Sequence, residues 1–332
     1  MVGNRGKITR ISTKDMTREE WLEERRKAIG GSDAGAIVGL NPYATPFTVW
    51  ADKTGRLPEK PDNEAMRQGR DLEQYVADRF TELTGKKTRK INAIIKNSSY
   101  PWASANVDRD VVGANEGLEC KTTSVLNLKR FRDGEFPATY YAQAVHYMAV
   151  TKARRWYVAV LVLNRGFMVY QLTRMENDYV PEWCESSVYV SDDEIAALMD
   201  AERNFWELVK SDTPPALNGT EGENAALGSI YTGGGEEIVD LVGLGGVLRQ
   251  YHNLKDRIKG LEIDLARCEQ TIKAALGDNE QGQAGGFVVN WKTQSRRTFD
   301  AKAFAAACEN VDLDPFYKTS TFRKFEIKTT DT

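Results

Sequence analysis

Histidine and cysteine are scarce in this chain of 332 residues. The sequence has two histidines, His146 and His252, and four cysteines that stand singly, with no C-x-x-C pair. This spacing argues against a zinc site, an iron–sulfur cluster or a redox motif, and two distant histidines do not indicate a catalytic triad. Any catalysis must therefore depend largely on carboxylates, lysine and a hard cation.

Long hydrophobic runs and a strong net charge are missing as well. No apolar segment reaches the ~18 residues of a membrane span, and the first residues lack the apolar stretch of a signal peptide. The composition, 41% hydrophobic and 28% charged with a formal net charge of −3, is typical of a globular protein. We therefore expect a cytoplasmic protein without membrane association.

Basic residues are nevertheless clustered in the first half of the chain. They occur at residues 86–90, 129–132 and 152–155. Each cluster alone is typical of a solvated surface, but together the three flank the motif described below. Local charge is therefore more informative here than the net charge about a nucleic-acid partner.

The first part of the chain carries helix-start signals. Thr17 followed by Glu20 forms a capping-box pattern that predicts one helix, and Ser32 or Asp33 is predicted to cap a second. A loop rich in Gly and Pro is predicted to follow. The next patterns predict a helix at 63–84, strands at 88–95, 102–112 and 117–123, a helix at 138–150, and a hairpin of 156–163 with 167–172. The predicted fold class is α/β (α+β): a mixed sheet with helices packed on it.

The remainder of the chain differs in composition. We expect a domain at 1–212, a linker rich in Gly and Pro at 213–235, and an accessory domain at 236–332. Apolar residues spaced alternately by four and three predict a long helix in the accessory domain. They are Val247, Tyr251, Leu254, Ile258, Leu261, Leu265, Cys268, Ile272 and Ala275.

After that helix, strand-like runs at 287–298 and 316–327 bracket a short predicted helix at about 300–308. The sequence leaves four roles open for the C-terminal region. It could provide an internal packing helix, a self-association arm, a DNA clamp or a dock for a single-strand annealing partner.

Three charged residues form the constellation that carries chemistry. Asp108 ends one predicted strand, and Glu119 and Lys121 lie two residues apart on the next, so that they share a face while Cys120 points into the core. A hairpin would bring Asp108 alongside them. Adjacent carboxylates repel each other unless a cation sits between them, and oxygen ligands favour magnesium or manganese. The pattern therefore predicts a metal-dependent site for phosphodiester hydrolysis, with Lys121 orienting or deprotonating the attacking water.

A D-x10-E-x-K pattern by itself is weak evidence, but two companions strengthen it. Glu73 lies in the preceding helix and could reach the metal cluster. Gln143 lies in the following helix, where its amide could bind a phosphate or the attacking water. His146, on the same helix, is interpreted as a packing or DNA-contact residue rather than an acid or base.

These motifs resemble the lambda-exonuclease, or YqaJ-type, viral recombinase family, a branch of the PD-(D/E)xK nucleases. The resemblance covers residues from about 18 to 190. The residues that carry it are Trp21 with Arg25, the segment Ile29–Asp33, Gly69–Glu73, Asp108, Leu118–Lys121, Tyr141–Gln143 and Tyr147–Thr151.

The resemblance implies a restriction-endonuclease-like core and a particular ligand set. Asp108 and Glu119 would bind Mg²⁺, with Mn²⁺ as a substitute and two ions expected. The Cys120 carbonyl would add a ligand, Glu73 would complete the acidic cluster, and Lys121 would serve the attacking water. Family members often have glycine after the metal-binding aspartate. This chain has Arg109 and a second acid, Asp110, which leaves the choice between Asp108 and Asp110 open.

The resemblance also implies a substrate and partners. Arg25 and Ser32 would hold a terminal 5′ phosphate, and Gln143 would contact DNA or water. The expected activity is digestion of linear double-stranded DNA, 5′ to 3′, by a phage or prophage recombination exonuclease in a bacterial host. A homo-oligomer, with a trimer as one form, and a single-strand annealing protein are the expected partners. The alternatives are an endonuclease on the same fold and a catalytically inactive DNA-binding or adaptor protein.

Overall fold

The computed structural model describes residues 6–59, 62–235, 237–300, 303–304, 307, 314–318 and 324–327. The chain divides into two compact units, with the boundary between Thr232 and Gly233. The first unit contains the strands β1 (Ile8–Ser12), β2 (Thr88–Lys90), β3 (Ala93–Asn97), β4 (Ser104–Ala105), β5 (Arg109–Val111), β6 (Glu116–Thr123), β7 (Arg155–Val162), β8 (Gly166–Thr173) and β9 (Ser186–Tyr189). Its helices are α1 (Arg18–Arg26), α2 (Gly31–Ile37), α3 (Pro46–Lys53), α4 (Glu64–Thr84), α5 (Ala138–Thr151), α6 (Asp192–Lys210) and α7 (Glu221–Ile230).

The central element of the first unit is a six-stranded mixed sheet in the order β2-β5-β6-β7-β8-β9. The pairs β6–β7 and β8–β9 are parallel, and the other neighbours are antiparallel. The predicted hairpin is confirmed as β7–β8, with Asn164 in the left-handed conformation at the turn. The mixed α/β architecture expected of a restriction-endonuclease-like core is confirmed.

Two predicted strands are each divided between two sheets. The run 88–95 contributes β2 to the large sheet and β3 to a small antiparallel sheet, β1-β3-β4. The run 102–112 is divided in the same way into β4 and β5. Hydrophobic alternation continues through such a crossover, because both pieces are half-buried strands, and this is why the sequence pattern does not reveal the division.

Helices cover the large sheet on both faces. Val76 and Phe80 of α4 pack with Leu118 of β6 on one face. On the other face, Val145 of α5 packs with Val158 of β7. Since side chains alternate along a strand, β6 presents Leu118 and Cys120 to α4, and Glu119 and Lys121 to the α5 side.

The N-terminal helices follow their capping signals, with one correction. Thr17 and Glu20 form the predicted capping box of α1. The N-cap of α2 is Gly30, not Ser32 or Asp33. The Asp33 carboxylate instead acts from inside the first turn and accepts a hydrogen bond from the Gly30 N–H at 2.9 Å. The predicted N-cap was wrong by two or three residues. The Asp33 side chain bonds back to the N-cap backbone from the first turn, and this acidic residue was interpreted as the N-cap itself.

Two helices lie where the sequence patterns predicted a loop or linker. The helix α3 starts with a capping box at Thr45 and has Pro46 in its first turn. The helix α7 lies within 213–235, and its Ala226 packs against Trp50 and Phe205 in the first unit. A stretch rich in Gly and Pro thus includes a packed helix, because the apolar residues between the turn residues find a hydrophobic surface that only the fold provides.

The second unit contains α8 (Gly245–Leu276) and a hairpin of β10 (Gln281–Ala284) and β11 (Phe287–Asn290). The long helix is confirmed. The run 287–298 forms a strand only as far as Asn290. The described residues of 316–327 form no strand. Within 300–308, residues 303, 304 and 307 are helical, Asp300 is not, and the other residues lie outside the described part of the chain. Across the described residues, no helix is long and apolar enough to cross a membrane.

Candidate active site

Asp108 and Glu119 are brought together by the antiparallel pairing of β5 with β6. Arg109 pairs with Leu118, so Asp108 lies beside the middle of β6. The backbone N–H of Cys120 donates a hydrogen bond to Asp108 Oδ2 at 2.8 Å. This contact fixes the Asp108 carboxylate next to the strand that carries Glu119 and Lys121.

The Glu119 carboxylate is the centre of the polar network. The residue is 5% exposed. Its Oε1 accepts hydrogen bonds from Lys121 Nζ at 2.6 Å and from Gln143 Nε2 at 2.7 Å. Its Oε2 is buried and has no hydrogen-bond partner among the described residues. A buried carboxylate oxygen without a partner is costly, and a cation or donor from outside the chain would compensate for it.

Gln143 orients this network rather than facing outward. Its Nε2 donates to Glu119 Oε1 and to the Tyr147 hydroxyl at 3.0 Å, while its Oε1 accepts from Lys121 Nζ at 2.9 Å. The residue is 8% exposed. Gln143 was predicted to contact DNA or the attacking water, but in this structure its amide is used within the protein.

The electrostatics of the site indicate a missing positive charge. Burial and the neighbouring Glu119 carboxylate raise the pKa of Asp108 to about 8. Burial alone would lower the pKa of Lys121, but the charge and the hydrogen bond of Glu119 raise it above its usual value. Lys121 is therefore an ammonium group beside the Glu119 carboxylate in this structure. One ammonium does not compensate two buried carboxylates.

A hard divalent cation fits the Asp108–Glu119 pair on this evidence. The unpartnered Glu119 Oε2 and the adjacent Asp108 carboxylate are oxygen donors of the kind that Mg²⁺ and Mn²⁺ prefer. Among the described residues, no group of three or more His, Cys, Asp or Glu side chains converges closely enough to hold a metal by itself. The Cys120 side chain packs against the α4 face of the sheet, so only its backbone carbonyl could contribute there.

Glu73 contacts cations of the protein instead of joining the two carboxylates. Its Oε1 accepts a hydrogen bond from the Arg109 guanidinium and lies 3.3 Å from Lys90 Nζ. Arg109 is 2% exposed and also donates to the Asp108 carbonyl oxygen at 2.7 Å. The residue that departs from the family pattern therefore links Glu73 to the backbone of Asp108.

Asp110, the other possible ligand, points away from the site. It pairs with Gly117 in the sheet, and its carboxylate forms an ion pair with Arg89 at 2.8 Å. Asp108, in contrast, contacts β6 at Cys120, and the charge of Glu119 contributes to raising its pKa. The geometry therefore favours Asp108 over Asp110 as the metal ligand.

Arg25 and Ser32 meet at the corner between α1 and α2. The Arg25 guanidinium donates to Ser32 Oγ at 3.3 Å and lies over the Trp21 ring at 5.7 Å. The Arg25 side chain is 32% exposed, so it can still reach a ligand. Beneath it, the buried ammonium of Lys53 pairs with Asp33 at 2.6 Å and donates to the Arg25 carbonyl oxygen at 3.2 Å.

Tyr147 connects this corner to the carboxylate network. A Cβ at Gly31 would lie 2.6 Å from the Tyr147 ring, so the ring packs directly on the first residue of α2. The hydroxyl of the same tyrosine accepts from Gln143 Nε2 and donates to the Asn106 carbonyl oxygen at 2.9 Å. Tyr147 therefore contacts both α2, which carries Ser32, and Gln143, which is hydrogen-bonded to Glu119.

His146 is entirely buried, which confirms its interpretation as a packing residue. Its Nδ1 lies 2.8 Å from Glu202 Oε1, and its Nε2 lies 2.9 Å from the Ser104 carbonyl oxygen. Burial would lower the pKa of His146, but Glu202 and the Ser104 carbonyl raise it above its usual value. Both ring nitrogens lie within hydrogen-bond distance of oxygen atoms, and the contact with Glu202 ties α5 to α6. The fully buried ring cannot contact DNA.

The comparisons with known proteins address the origin of this arrangement. The family model of the YqaJ-like viral recombinase domain matches residues 20–154, which include every predicted site residue. The uncharacterized protein YqaJ of Bacillus subtilis (strain 168) is 35% identical over 320 residues, covering 95% of each chain. The chain belongs to the YqaJ-like viral recombinase family.

Solved structures with similarity to this YqaJ-like chain include two exonucleases. The alkaline exonuclease LHK-Exo from Laribacter hongkongensis has 16% identity and a TM-score of 0.47, covering 59% of this chain and 94% of that one. A phage-related exonuclease from Haemophilus somnus 129PT has 11% identity and a TM-score of 0.40, covering 58% and 99%.

Three residues of the YqaJ-like site had no assigned role in the sequence reasoning. Tyr147 lies four residues after Gln143 on one helix, a spacing that predicts contact between the two side chains. Lys53 ends a helix whose start signal, Thr45-Pro46, was overlooked. Arg109 was recognised as unusual, but its contact with Glu73 joins residues 36 positions apart and has no local signal.

Proposed function

We propose that this chain is a divalent-metal-dependent nuclease that digests linear double-stranded DNA from its ends. The observation that carries the proposal is the pair of carboxylates on Asp108 and Glu119, with Lys121 and Gln143 beside them and one Glu119 oxygen left buried and unpartnered. Family membership supports the same conclusion, since a viral recombinase acts on DNA.

The protein's own groups supply orientation and charge for phosphodiester hydrolysis. A Mg²⁺ ion, or Mn²⁺ in its place, would polarise the phosphate and favour ionisation of the attacking water. Lys121 holds a positive charge beside Glu119, where it can stabilise the negative charge that develops on the phosphate. Gln143 keeps Lys121 and Glu119 in fixed positions. The family resemblance implies two ions. Asp108 and Glu119 would bind one of them, and Glu73 is already paired with Arg109.

We assign end recognition to Arg25 and Ser32. A guanidinium and a hydroxyl that meet at 3.3 Å at an accessible corner can bind a terminal phosphate through charge-assisted hydrogen bonds. Capture of a 5′ phosphate there favours digestion in the 5′ to 3′ direction. Tyr147 packs on Gly31 of α2 and is hydrogen-bonded through Gln143 to Glu119, so the corner and the carboxylates belong to one packed network.

The proposed setting is phage or prophage recombination in the cytoplasm of a bacterial host. Digestion of one strand would leave a single-stranded end for an annealing partner. A homo-oligomer that encloses DNA, such as a trimer, would keep the enzyme on its substrate without a strongly basic surface.

The first test is digestion of matched linear and covalently closed circular DNA with Mg²⁺, Mn²⁺ or EDTA. We expect loss of linear DNA with either metal and none with EDTA. Asp108→Asn should remove activity, whereas Asp110→Asn, the matched control that pairs with Arg89, should retain it. Equal cutting of circles would replace the exonuclease by an endonuclease. No cutting under any condition would favour the DNA-binding or adaptor alternative.

The second test compares linear duplexes with 5′-phosphate and 5′-hydroxyl ends. We expect wild-type protein to prefer the phosphate, and Arg25→Gln to lose at least about ten-fold of that preference, which corresponds to about 1.4 kcal/mol. Arg26→Gln, one position along the same helix, is the control and should keep the preference. Equal behaviour of the two variants would contradict the assigned pocket while leaving the nuclease proposal intact.

A further inference from the structure

The helix α8 carries a long apolar stripe whose large side chains are mostly exposed in the described part of the chain, and Tyr251 of this stripe contacts Phe325, with ring centroids 6.2 Å apart. The helix has 32 residues, and its stripe would extend ~42 Å from Val247 to Ala275 at 1.5 Å per residue. Six of the stripe residues with large side chains are 44–65% exposed: Val247, Leu254, Ile258, Leu261, Leu265 and Ile272. Tyr251 and Cys268 continue the same stripe.

A helix of this kind gains most of its stability from packing. Long helices are held in water chiefly by burial of an apolar face, and Gly260 in the middle of α8 weakens the helix by about 1 kcal/mol relative to alanine. The alternating spacing by four and three residues is the pattern by which helices pair in a coiled coil. In heptad positions, Tyr251, Ile258 and Leu265 occupy a, and Leu254 and Leu261 occupy d.

We propose that α8 binds α8 of a second copy of this chain, in antiparallel orientation, with the two stripes fully overlapped. In this register each apolar residue at an a position faces an apolar residue at a d position of the second copy. Ile258 faces Leu261 of the second copy, Leu254 faces Leu265, and Tyr251 faces Cys268. The proposal does not depend on the proposed nuclease function.

The charges that flank the stripe select this orientation. In an antiparallel pair, e positions face e positions and g positions face g positions. Lys255 then lies beside Glu262 of the second copy, and Arg257 lies beside Asp264, and symmetry makes each attractive pair occur twice. A parallel pair would keep one attraction, Arg257 with Glu262, but would place Asp264 against Glu269, two like charges.

The same charges select the register. A shift by one heptad in one direction places Lys255 against Lys255 and Arg257 against Arg257 of the second copy. A shift in the other direction places Glu262 against Glu262 and Asp264 against Asp264, although it keeps an attraction between Lys255 and Glu269. Only the fully overlapped register brings opposite charges together at all four places, and it also buries the greatest length of the stripe.

These charged groups are available for contacts between copies. Within the described part of the chain, Arg257 and Glu262 form no ion pair, and Lys255 lies over the Tyr251 ring at 5.8 Å. Asp264 pairs with Arg267 at 3.0 Å one turn away, and both side chains remain more than 60% exposed. An exposed pair of this type is weak and does not prevent a second contact.

The position of Cys268 distinguishes a parallel from an antiparallel pair of α8 helices. Cys268 lies in the stripe and is exposed. In a parallel pair it would lie beside Cys268 of the second copy. In the proposed antiparallel pair the two Cys268 residues would lie ~26 Å apart along the axis, at 1.5 Å per residue, and each would face Tyr251.

The first experiment is disulfide cross-linking of the full-length protein under mild oxidation. The background carries Cys308→Ser, because Cys308 lies outside the described residues. We expect Tyr251→Cys to form a covalent dimer on a non-reducing gel, and Cys268→Ser in that variant to abolish it. The background protein, in which Cys268 is exposed and Cys120 and Cys184 are less accessible, should stay monomeric on the gel. Cross-linking through Cys268 alone, or no cross-link in Tyr251→Cys, would overturn the proposal.

The second experiment measures the mass of the full-length protein in solution by light scattering. Reversal of two charges, Lys255→Glu with Arg257→Glu, should halve the mass. Addition of Glu262→Lys and Asp264→Arg restores opposite charges in the antiparallel pair and should restore the mass. The wild-type protein should have twice the mass of the double variant whether the first unit is a monomer or forms a ring, because α8 would pair two such assemblies. An unchanged mass in the double variant would show that the stripe is covered by another part of the chain or by another protein, which contradicts the proposal.

Discussion

Lys121 offers the sharpest test of the proposed chemistry, because it can be neutralised with little change of shape. Its ammonium lies 2.6 Å from Glu119 Oε1 and 2.9 Å from Gln143 Oε1, and the side chain is 21% exposed. Methionine has a similar length and no charge. Lys121→Met therefore removes two hydrogen bonds and one positive charge from the centre of the site.

We expect this substitution to lower the rate of DNA digestion at least ~10²-fold, which is the loss typical of removing one group that stabilises the transition state, about 2.7 kcal/mol. Metal binding should be retained or become tighter, since the ammonium and the metal compete to neutralise Glu119. The two effects are measured separately, by digestion of end-labelled linear duplex in Mg²⁺ and by calorimetric titration with Mn²⁺.

The matched control is Lys210→Met, an exposed lysine that pairs with Glu207 at the end of α6. It should change neither the rate nor metal binding. A Lys121→Met protein that digests DNA at the wild-type rate would refute the role of the ammonium. A variant that folds but no longer binds Mn²⁺ would refute the argument that Lys121 and the metal share the charge of Glu119.

Two further predictions concern stability and are checked by urea unfolding. His146→Leu should cost about 3–5 kcal/mol, because it leaves the Glu202 carboxylate buried without its partner. The double variant with Glu202→Leu should recover most of that loss, and a double variant as unstable as the single one would contradict this account. Gly31→Ala should cost about 1–3 kcal/mol, because the added Cβ would lie 2.6 Å from the Tyr147 ring. Gly69→Ala, where the nearest neighbouring atom lies at 3.8 Å, should be neutral or stabilising, and equal costs at the two glycines would argue against the clash.

Much of the local structure could be predicted because its signals lie within a few residues. The capping box of Thr17 with Glu20 and the left-handed Gly85 after α4 set helix ends through contacts between near neighbours. The shared face of Glu119 and Lys121 follows from the period of a strand. The hydrogen bonds of Gln143 to Glu119, Lys121 and Tyr147 could not be predicted, because the partners of an amide depend on what packs against it.

The linker and the loop before α4 show where pattern reasoning fails. Both stretches contain Gly and Pro, which suggest irregular structure, and both include a helix that packs at the Trp50 cluster. The apolar residues of α3 and α7 are too few to predict a helix by periodicity. Their helical state depends on burial against Phe205, which is remote in sequence.

By itself, the sequence determined the family, the mixed α/β class, and the identity of the acidic and basic residues at the site, because motif order and strand alternation are local properties. Only the tertiary structure decided that Asp108 rather than Asp110 faces Glu119, that Arg109 neutralises Glu73, and that one Glu119 oxygen is left without a partner. The physical reason is that pairing and burial depend on groups far apart in the chain. A charged side chain's partner is therefore known only once the strands and helices have been brought together.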